Sequence, residues 1–391
     1  MPLSPIMKPV LPIATAICWL AHPLTAQESL IPRDPNNLSL RNEVGAAIQR
    51  GLTWLERQQD PAGFWSVKDH PALTALVTSA YLGAPGSARA GSLPPHIERG
   101  LAWITGNARE DGGIYVDQLR NYNTAVSLLA LHLSGDAKYR PLIEKARAYT
   151  VSMQARGLEN PALNGGIGYG PGGTNRQHPD LSNTLLALEA LAATREFEKG
   201  EQVSAGQKLD WKAAIDFVSR TQNLPATNKE PWVTDSAENL GGFIYFPGNS
   251  MAGEVELADG RKALRSYGSM SYAGLLSMVY AQVDRDDERV KAVLAWLQKH
   301  YTLKENPGMG DDGLYYYYHV MAKGLGATGL KQLTLSDGTQ VDWRTDLAKH
   351  LINLQKPEGL WVNESGRWWE KDPVLVTTYS VLALNAIYQA L

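Results

Sequence analysis

One pattern recurs through this chain and settles its architecture before any single residue is weighed. Two copies are complete: Trp54-Leu55-Glu56-Arg57-Gln58-Gln59 followed by Gly63-Phe64-Trp65, and Leu354-Gln355 followed by Gly359-Leu360-Trp361, both reading Q-x-x-x-G-x-W. Four degenerate copies lie between them. The position five residues before the glutamine holds Trp54, Trp103, Tyr149, Phe217, Trp296 and His350, at intervals of 46 to 79 residues. A Gly-aromatic turn follows each, at Gly63/Trp65, Gly113/Tyr115, Gly166/Tyr169, Gly242/Tyr245, Gly313/Tyr315 and Gly359/Trp361. Repeats of this period are supersecondary units that bury their apolar faces only by stacking on one another.

Each copy opens with an amphipathic helical segment. Apolar residues fall three and four apart, as in Ile48, Leu52 and Leu55 or Val290, Val293, Leu294 and Leu297, and charges such as Arg50, Glu56, Asp287 and Lys291 fill the other face. After the turn comes a second run that is apolar or small nearly all round: Ala72–Leu82, Thr124–Leu133, Leu181–Ala193, Tyr272–Val283, His319–Leu325 and Val374–Leu391. A helix apolar on every side is buried. Six wet outer helices alternating with six dry inner ones close most simply into an all-α (α/α)6 toroid with short β-hairpin insertions. The long outer-to-inner loops and the inner-helix starts then share one end, where sites on a rigid scaffold are expected.

The repeats spread evenly over residues 44–391, which argues for one toroid domain rather than several. Residues 1–26 read as an export signal, with Lys8, an apolar stretch from Val10 to Leu20, and Leu24-Thr25-Ala26 as a small-residue cleavage site; residues 27–43 read as an N-terminal arm. The single cysteine, Cys18, lies in that leader. The remaining chain carries no thiol, which excludes disulfides and cysteine chemistry and suits a secreted or periplasmic protein. With a net charge of −3 and no basic patch, no nucleic-acid partner is expected.

Two stretches break the helical pattern. Gly241–Phe246 and Gly253–Leu257, before Asp259-Gly260, read as a hairpin at the loop end, and Leu333–Leu335 and Gln340–Trp343 flank the Asp337-Gly338 turn at the other end.

The six helical pairs with Q-x-x-x-G-x-W turns resemble the squalene cyclase and protein prenyltransferase repeat superfamily. The resemblance spans essentially the whole chain after the leader, and implies a terpenoid cyclase/protein prenyltransferase-like toroid in which Trp and Gln brace the turns. The family's chemistry transfers poorly. Asp284-Arg285-Asp286-Asp287 matches the D-x-D-D acid of bacterial cyclases in letters, but falls between an inner and an outer helix, where acids are ordinary capping charges. The Asp, Cys and His zinc set of the prenyltransferases is lacking, so no metal and no cofactor are expected, and the thioester Cys-Gly-Glu-Gln of complement-type toroids is absent.

Chemically capable residues gather at the inner-helix starts. They are Asp69-His70; Arg120-Asn121-Tyr122-Asn123; Arg176-Gln177-His178-Pro179-Asp180 with Asn183; Arg265-Ser266-Tyr267 with Tyr272; Tyr315–Tyr318 with His319; and Arg367-Trp368-Trp369-Glu370. Asp180, Asn123, Ser266 and Asp69 are also common helix caps. His319, Tyr315, His178 and Asp180 are the catalytic candidates. Asn123, Tyr122, Arg176, Asn183, Arg265, Tyr267, Trp368 and Trp369 are the substrate-binding candidates. Three readings follow: a cavity that binds or transforms an isoprenoid or lipid-like molecule, with room for peripheral membrane contact; a secreted lyase or hydrolase on an acidic glycan using the His, Tyr, Asn and Arg groups; and a non-catalytic binding module. Carboxylates in a dry cavity favour the first, an arginine-lined wet groove the second.

Overall fold

The computed structural model describes residues 37–87, 92–171, 178–198 and 208–391. The predicted leader therefore lies outside the described residues. The first helix begins at Leu38, so the last six residues of the expected arm are helical instead.

Outer helices α1 (Leu38–Arg57), α3 (Pro95–Gly106), α5 (Arg140–Ser152), α7 (Trp211–Arg220), α9 (Glu288–Lys299) and α11 (Trp343–Leu354) alternate with inner helices α2 (Pro71–Leu82), α4 (Arg120–Leu133), α6 (Leu181–Ala193), α8 (Gly268–Tyr280), α10 (Leu314–Thr328) and α12 (Pro373–Ala390). The inner helices pack on one another in sequence from α2 to α12, and α12 packs back on α2, which closes the ring. Helices α3, α5 and α9 each lie mainly on the inner helix before them, and α1 lies on α12, joining the two chain ends in one toroid. Every residue of α2 from Pro71 to Ala80 and of α8 from Gly268 to Met278 is buried, the result of runs without a polar face.

One device repeats around the ring. Gln59 Nε2 donates to its own turn at Gly63 O (2.9 Å) and to His96 O of the next outer helix (2.8 Å). Gln222 spans Gly241 O and Arg289 O, and Gln355 spans Gly359 O and Ala47 O, all at 2.8–3.0 Å. Gln154 reaches Gly165 O and Asp210 O in the same way. In the fifth copy Tyr301 stands in the glutamine slot and its hydroxyl reaches Asp346 of α11 (2.8 Å). Five of the six turns also press their backbone onto that next helix: a Cβ on Gly165 (φ +92°) would lie 2.0 Å from Ala213 O, and on Gly241 (φ +92°) 2.2 Å from Ala292 O. Only glycine combines this dihedral with this approach.

Two residues after that glycine, a buried side chain plugs the core while its N–H is held by an inner-helix hydroxyl. The pairs are Trp65 with Thr74, Ile114 with Thr124, Ile167 with Thr184, Phe243 with Ser271 and Trp361 with Thr377, at 2.9–3.1 Å. Trp65 and Trp361 also donate their indole N–H to Leu55 O and Leu351 O (2.7 Å each), so neither polar atom is buried unpaired. The predicted turns in the middle copies were thus set one residue late. The plugs are Ile114, Ile167 and Phe243, and Tyr169 and Tyr245 stand two residues beyond, free of that structural duty.

The first predicted hairpin forms from different partners. Strands β1 (Glu254–Glu256) and β2 (Lys262–Leu264) pair across Asp259-Gly260, whereas Gly241–Phe246 makes the turn of its repeat, bridging Phe243 to Gln222. The second hairpin forms as expected, β3 (Leu333–Thr334) with β4 (Gln340–Val341). Among the described residues no helix is long and apolar enough to cross a membrane.

Candidate functional site

Residues facing the ring axis stand out because they keep partial exposure on otherwise buried helices. On α6 they are Ser182, Leu186 and Glu189; on α4 Tyr122 and Leu129; on α10 Tyr316 and Lys323; on α12 Leu382 and Ala386. The spacings of three, four and seven are those of a single helix face. The axis is bridged at two levels by helices that are not neighbours in the ring. Toward the loop end Ser182 Oγ of α6 meets Tyr316 Oη of α10 at 3.4 Å; toward the other end Lys323 of α10 forms an ion pair with Glu189 of α6.

The loop end of the axis is a tyrosine cluster built around one buried carboxylic acid. Asp180 is fully enclosed and is the N-cap of α6, its carboxylate accepting from Asn183 N and Asn183 Nδ2 at 2.8 Å each. Tyr245 is anchored beside it because its carbonyl accepts the Leu181 N–H (2.8 Å), close enough that burial and then the Asp180 charge raise its phenol. Tyr169 is fixed by its own carbonyl to Asn121 N at the start of α4 (3.0 Å), and its ring lies 6.5 Å from that of Tyr122. Tyr267 and Tyr316 complete the wall, close enough to Asp180 to feel its charge. Burial pushes Asp180 up to about 7, against the pull of its hydrogen bonds, so enclosure alone supplies the raised acid that a second carboxylate supplies in paired sites. Burial likewise raises the phenols, Tyr122 to about 12.

The expected residues divide. Tyr122, Asp180, Asn183 and Tyr267 come together here. His319 is buried deeper along the axis, its ring stacked on Tyr379 at 5.5 Å; burial, then the Lys323 charge, hold it well below the usual histidine range, and its Nδ1 has no partner. Its axial companion is Tyr316, three residues earlier. Tyr315, expected on that face, instead packs edge-on against Tyr318, whose hydroxyl meets His350 of α11 at 2.9 Å. The α10 helix begins at Leu314, more than a turn ahead of the expected start, so the whole tyrosine run lies within it. His178 packs against Phe246 in a tilted pair with ring centroids 4.0 Å apart, while His319 packs on Tyr379. Asn123 is no cap of its own helix: its Oδ1 accepts Ala72 N–H of α2 (3.0 Å), tying two inner helices together. Ser266 and Asp69 cap nothing either.

The arginines turn outward. Arg265 is exposed, donating to Glu254 O (3.3 Å), Arg120 lies over Tyr115, and Arg176 lies outside the described residues. Trp368 and Trp369 are exposed at the rim, both in the left-handed region (φ 53° and 71°), where bulky residues are outliers. Arg367 covers Trp368 at 4.5 Å and reaches Asp312 (3.0 Å), while the Glu370 carboxylate caps α10 through the Tyr315 and Tyr316 amides. The D-x-D-D look-alike sits between α8 and α9 with Asp287 as the α9 N-cap and Asp286 in solvent. Among the described residues no three His, Cys, Asp or Glu side chains gather as a metal site.

No protein-family model and no curated protein matches the chain. Solved structures do. The type II terpene cyclase MstE from Scytonema aligns over 90% of this chain and 99% of its own, at 13% identity and a TM-score of 0.54. Its complex with the substrate geranylgeranyl dihydroxybenzoate gives 0.53 at 12% identity. The GH76 α-mannanase BT2949 of Bacteroides thetaiotaomicron aligns over 90% of this chain and 98% of its own, at 12% identity and 0.53. These likenesses are of fold: the chain is an α/α toroid, a scaffold that carries enzymes on both lipid-like and glycan substrates.

Proposed function

We propose that the toroid binds and transforms a small isoprenoid or lipid-like molecule at the loop end of its axis, with Asp180 as the proton source. The observation that carries this reading is a buried carboxyl inside a wall of phenol rings, with Arg265 and Arg120 facing away from it. Tyrosine faces suit an apolar chain and stabilise developing positive charge. A glycan lyase would need cationic or amide groups turned into the site to neutralise a uronate, and Arg265 and Arg120 point elsewhere. An acid near 7 is matched to general acid–base work at neutral pH on an oxygen function, such as an alcohol, epoxide or enol, more than to an unactivated alkene. The exposed Trp368 and Trp369 give the mouth an apolar rim suited to peripheral contact with a membrane surface.

The test is a binding and turnover screen of the purified protein with geranylgeraniol, squalene and its epoxide, a mannan oligosaccharide and a polyuronate, read by calorimetry and mass spectrometry. Conversion of an oxygenated isoprenoid, lost in Asp180→Asn, is the expected result. Binding of either glycan with no response to any isoprenoid overturns the reading.

A further inference from the structure

A cleft opens on the loop end where the first repeat meets the last. It encloses about 400 Å³ and is lined by Ser66 and Val67, from the turn after α1, and by Trp369, Lys371 and Asp372, from the segment that enters α12. That volume lies within the range of small-molecule sites. Its polar wall is fixed from both sides of the seam. Ser66 Oγ donates to Asp372 Oδ2 across 306 residues of sequence, and Asp372 Oδ1 accepts the Val374 N–H as the α12 N-cap (2.8 Å), so the carboxylate is held by both oxygens. Trp369 is 47% exposed yet anchored: its carbonyl accepts the Asp372 N–H (2.9 Å), and His70, just before α2, packs edge-on against its indole with ring centroids 5.1 Å apart. The Lys371 stem lies against Gly366, and its ammonium pairs with no carboxylate among the described residues. Ser66 (φ +64°) and Trp369 (φ +71°) both sit in the left-handed region, where such residues are uncommon and are kept only by the structure around them.

The cleft is amphipathic. An exposed indole stands beside a hydroxyl, a carboxylate and an ammonium, and the two charges cancel. A hydrocarbon chain would strip water from all three polar groups without replacing their hydrogen bonds. A phosphate or a uronate would meet the Asp372 carboxylate. A neutral pyranose meets every group: its C–H face carries the partial positive charge that an aromatic ring attracts, and its hydroxyls can donate to Asp372 and Ser66 and accept from Lys371. We propose that this seam cleft is a binding site for a neutral pyranose unit, packed on Trp369 and hydrogen-bonded to Asp372 and Lys371. The site is independent of the axis reading, since it shares no residue with the tyrosine cluster around Asp180. The sugar comes from a soluble glycan or from a glycolipid headgroup, and the two arms of the test distinguish these sources.

In the first arm the purified protein is titrated with mannotetraose, cellotetraose and tetragalacturonate, reading the Trp369 indole N–H resonance, with Trp369→Phe for assignment. At least one neutral tetramer should shift that resonance saturably, and tetragalacturonate should bind more weakly. Trp369→Ala should weaken binding by at least about tenfold. Asp372→Asn keeps a residue that caps α12 and should weaken it by about 10- to 100-fold. Trp368→Ala removes the neighbouring indole, which lies under Arg367 and does not line the cleft, and should change it by less than about twofold. In the second arm phosphatidylcholine vesicles with and without a glucosyl lipid are sedimented with the protein; capture that needs both the sugar and Trp369 assigns the headgroup, and tetramer binding assigns the soluble glycan. The proposal is overturned if neither a neutral tetramer nor the glucosyl lipid moves the Trp369 resonance, or if Trp368→Ala weakens sugar binding as much as Trp369→Ala. It is overturned as well if both vesicles bind alike through both indoles, which leaves the rim an apolar membrane contact only. Isoprenoid conversion lost in Asp180→Asn bears on the axis reading alone and is unaffected by Trp369→Ala.

Discussion

Replacing Asp180 by asparagine should make the protein less stable in acid and more stable in base, a sign change that ordinary capping does not produce. The Asp180 carboxyl is held near 7 in the folded chain against an ordinary 3.8, with burial as the cause. A raised acid binds its proton more tightly folded than unfolded. Its contribution to stability is therefore fully present below pH 3.8 and is lost as pH rises through 7. The gap of roughly three units, at about 1.36 kcal/mol per unit, amounts to about 4 kcal/mol lost between pH 4 and 8. Asparagine cannot ionise. Its Oδ1 can still accept the Asn183 amide, but its Nδ2 meets the Asn183 side-chain donor, a mismatch that costs about 1–3 kcal/mol at every pH.

The two stability curves should cross between about pH 4.5 and 6. Urea unfolding at pH 4, 6 and 8 reads the difference directly, and other titrating groups, His319 among them, are common to both proteins and cancel. A difference that stays constant within 1 kcal/mol from pH 4 to 8 would falsify the claim that Asp180 is protonated in the fold, and the proposed chemistry with it.

His319→Ala removes a buried ring stacked on Tyr379 and should lower stability by about 1–3 kcal/mol in thermal unfolding; a variant as stable as wild type would show that the axis closes freely over the gap. Gly165→Ala forces a Cβ to within 2.0 Å of Ala213 O at φ +92° and should prevent folding or cost more than about 3 kcal/mol by circular dichroism. Asp286→Asn, at an exposed side chain paired only with Lys291, should change stability by less than about 1 kcal/mol and leave any isoprenoid turnover intact; an inactive folded variant would return the cyclase-acid reading to Asp286. Export with cleavage after Ala26 remains a proposal, checked by the intact mass of the secreted protein, and retention of Cys18 would refute it.

The ring was legible because each repeat states its own packing. Gln59, Gln154, Gln222 and Gln355 all fall in the slot set by the aromatic five residues earlier, and all four make the same two bonds. The site was half legible, and the failure has one cause. Composition shows which residues gather at the inner-helix starts, but not what each side chain packs against. On α10 the partly exposed member of the tyrosine run is Tyr316, and Tyr315 is spent on Tyr318 and the Glu370 contact. Tyr169 and Tyr245 were set as the aromatics of turns read one residue late, when the hydroxyl-held plugs are Ile167 and Phe243. A signal was present: Thr184 and Ser271 recur in the inner helices where Thr74 and Thr377 serve the two complete copies. Aligning on those hydroxyls sets each turn correctly and leaves one tyrosine unassigned in each of two consecutive repeats. These two tyrosines share one repeat position and stand beside the buried Asp180, which is why the candidate site is placed there rather than at the more conspicuous histidines.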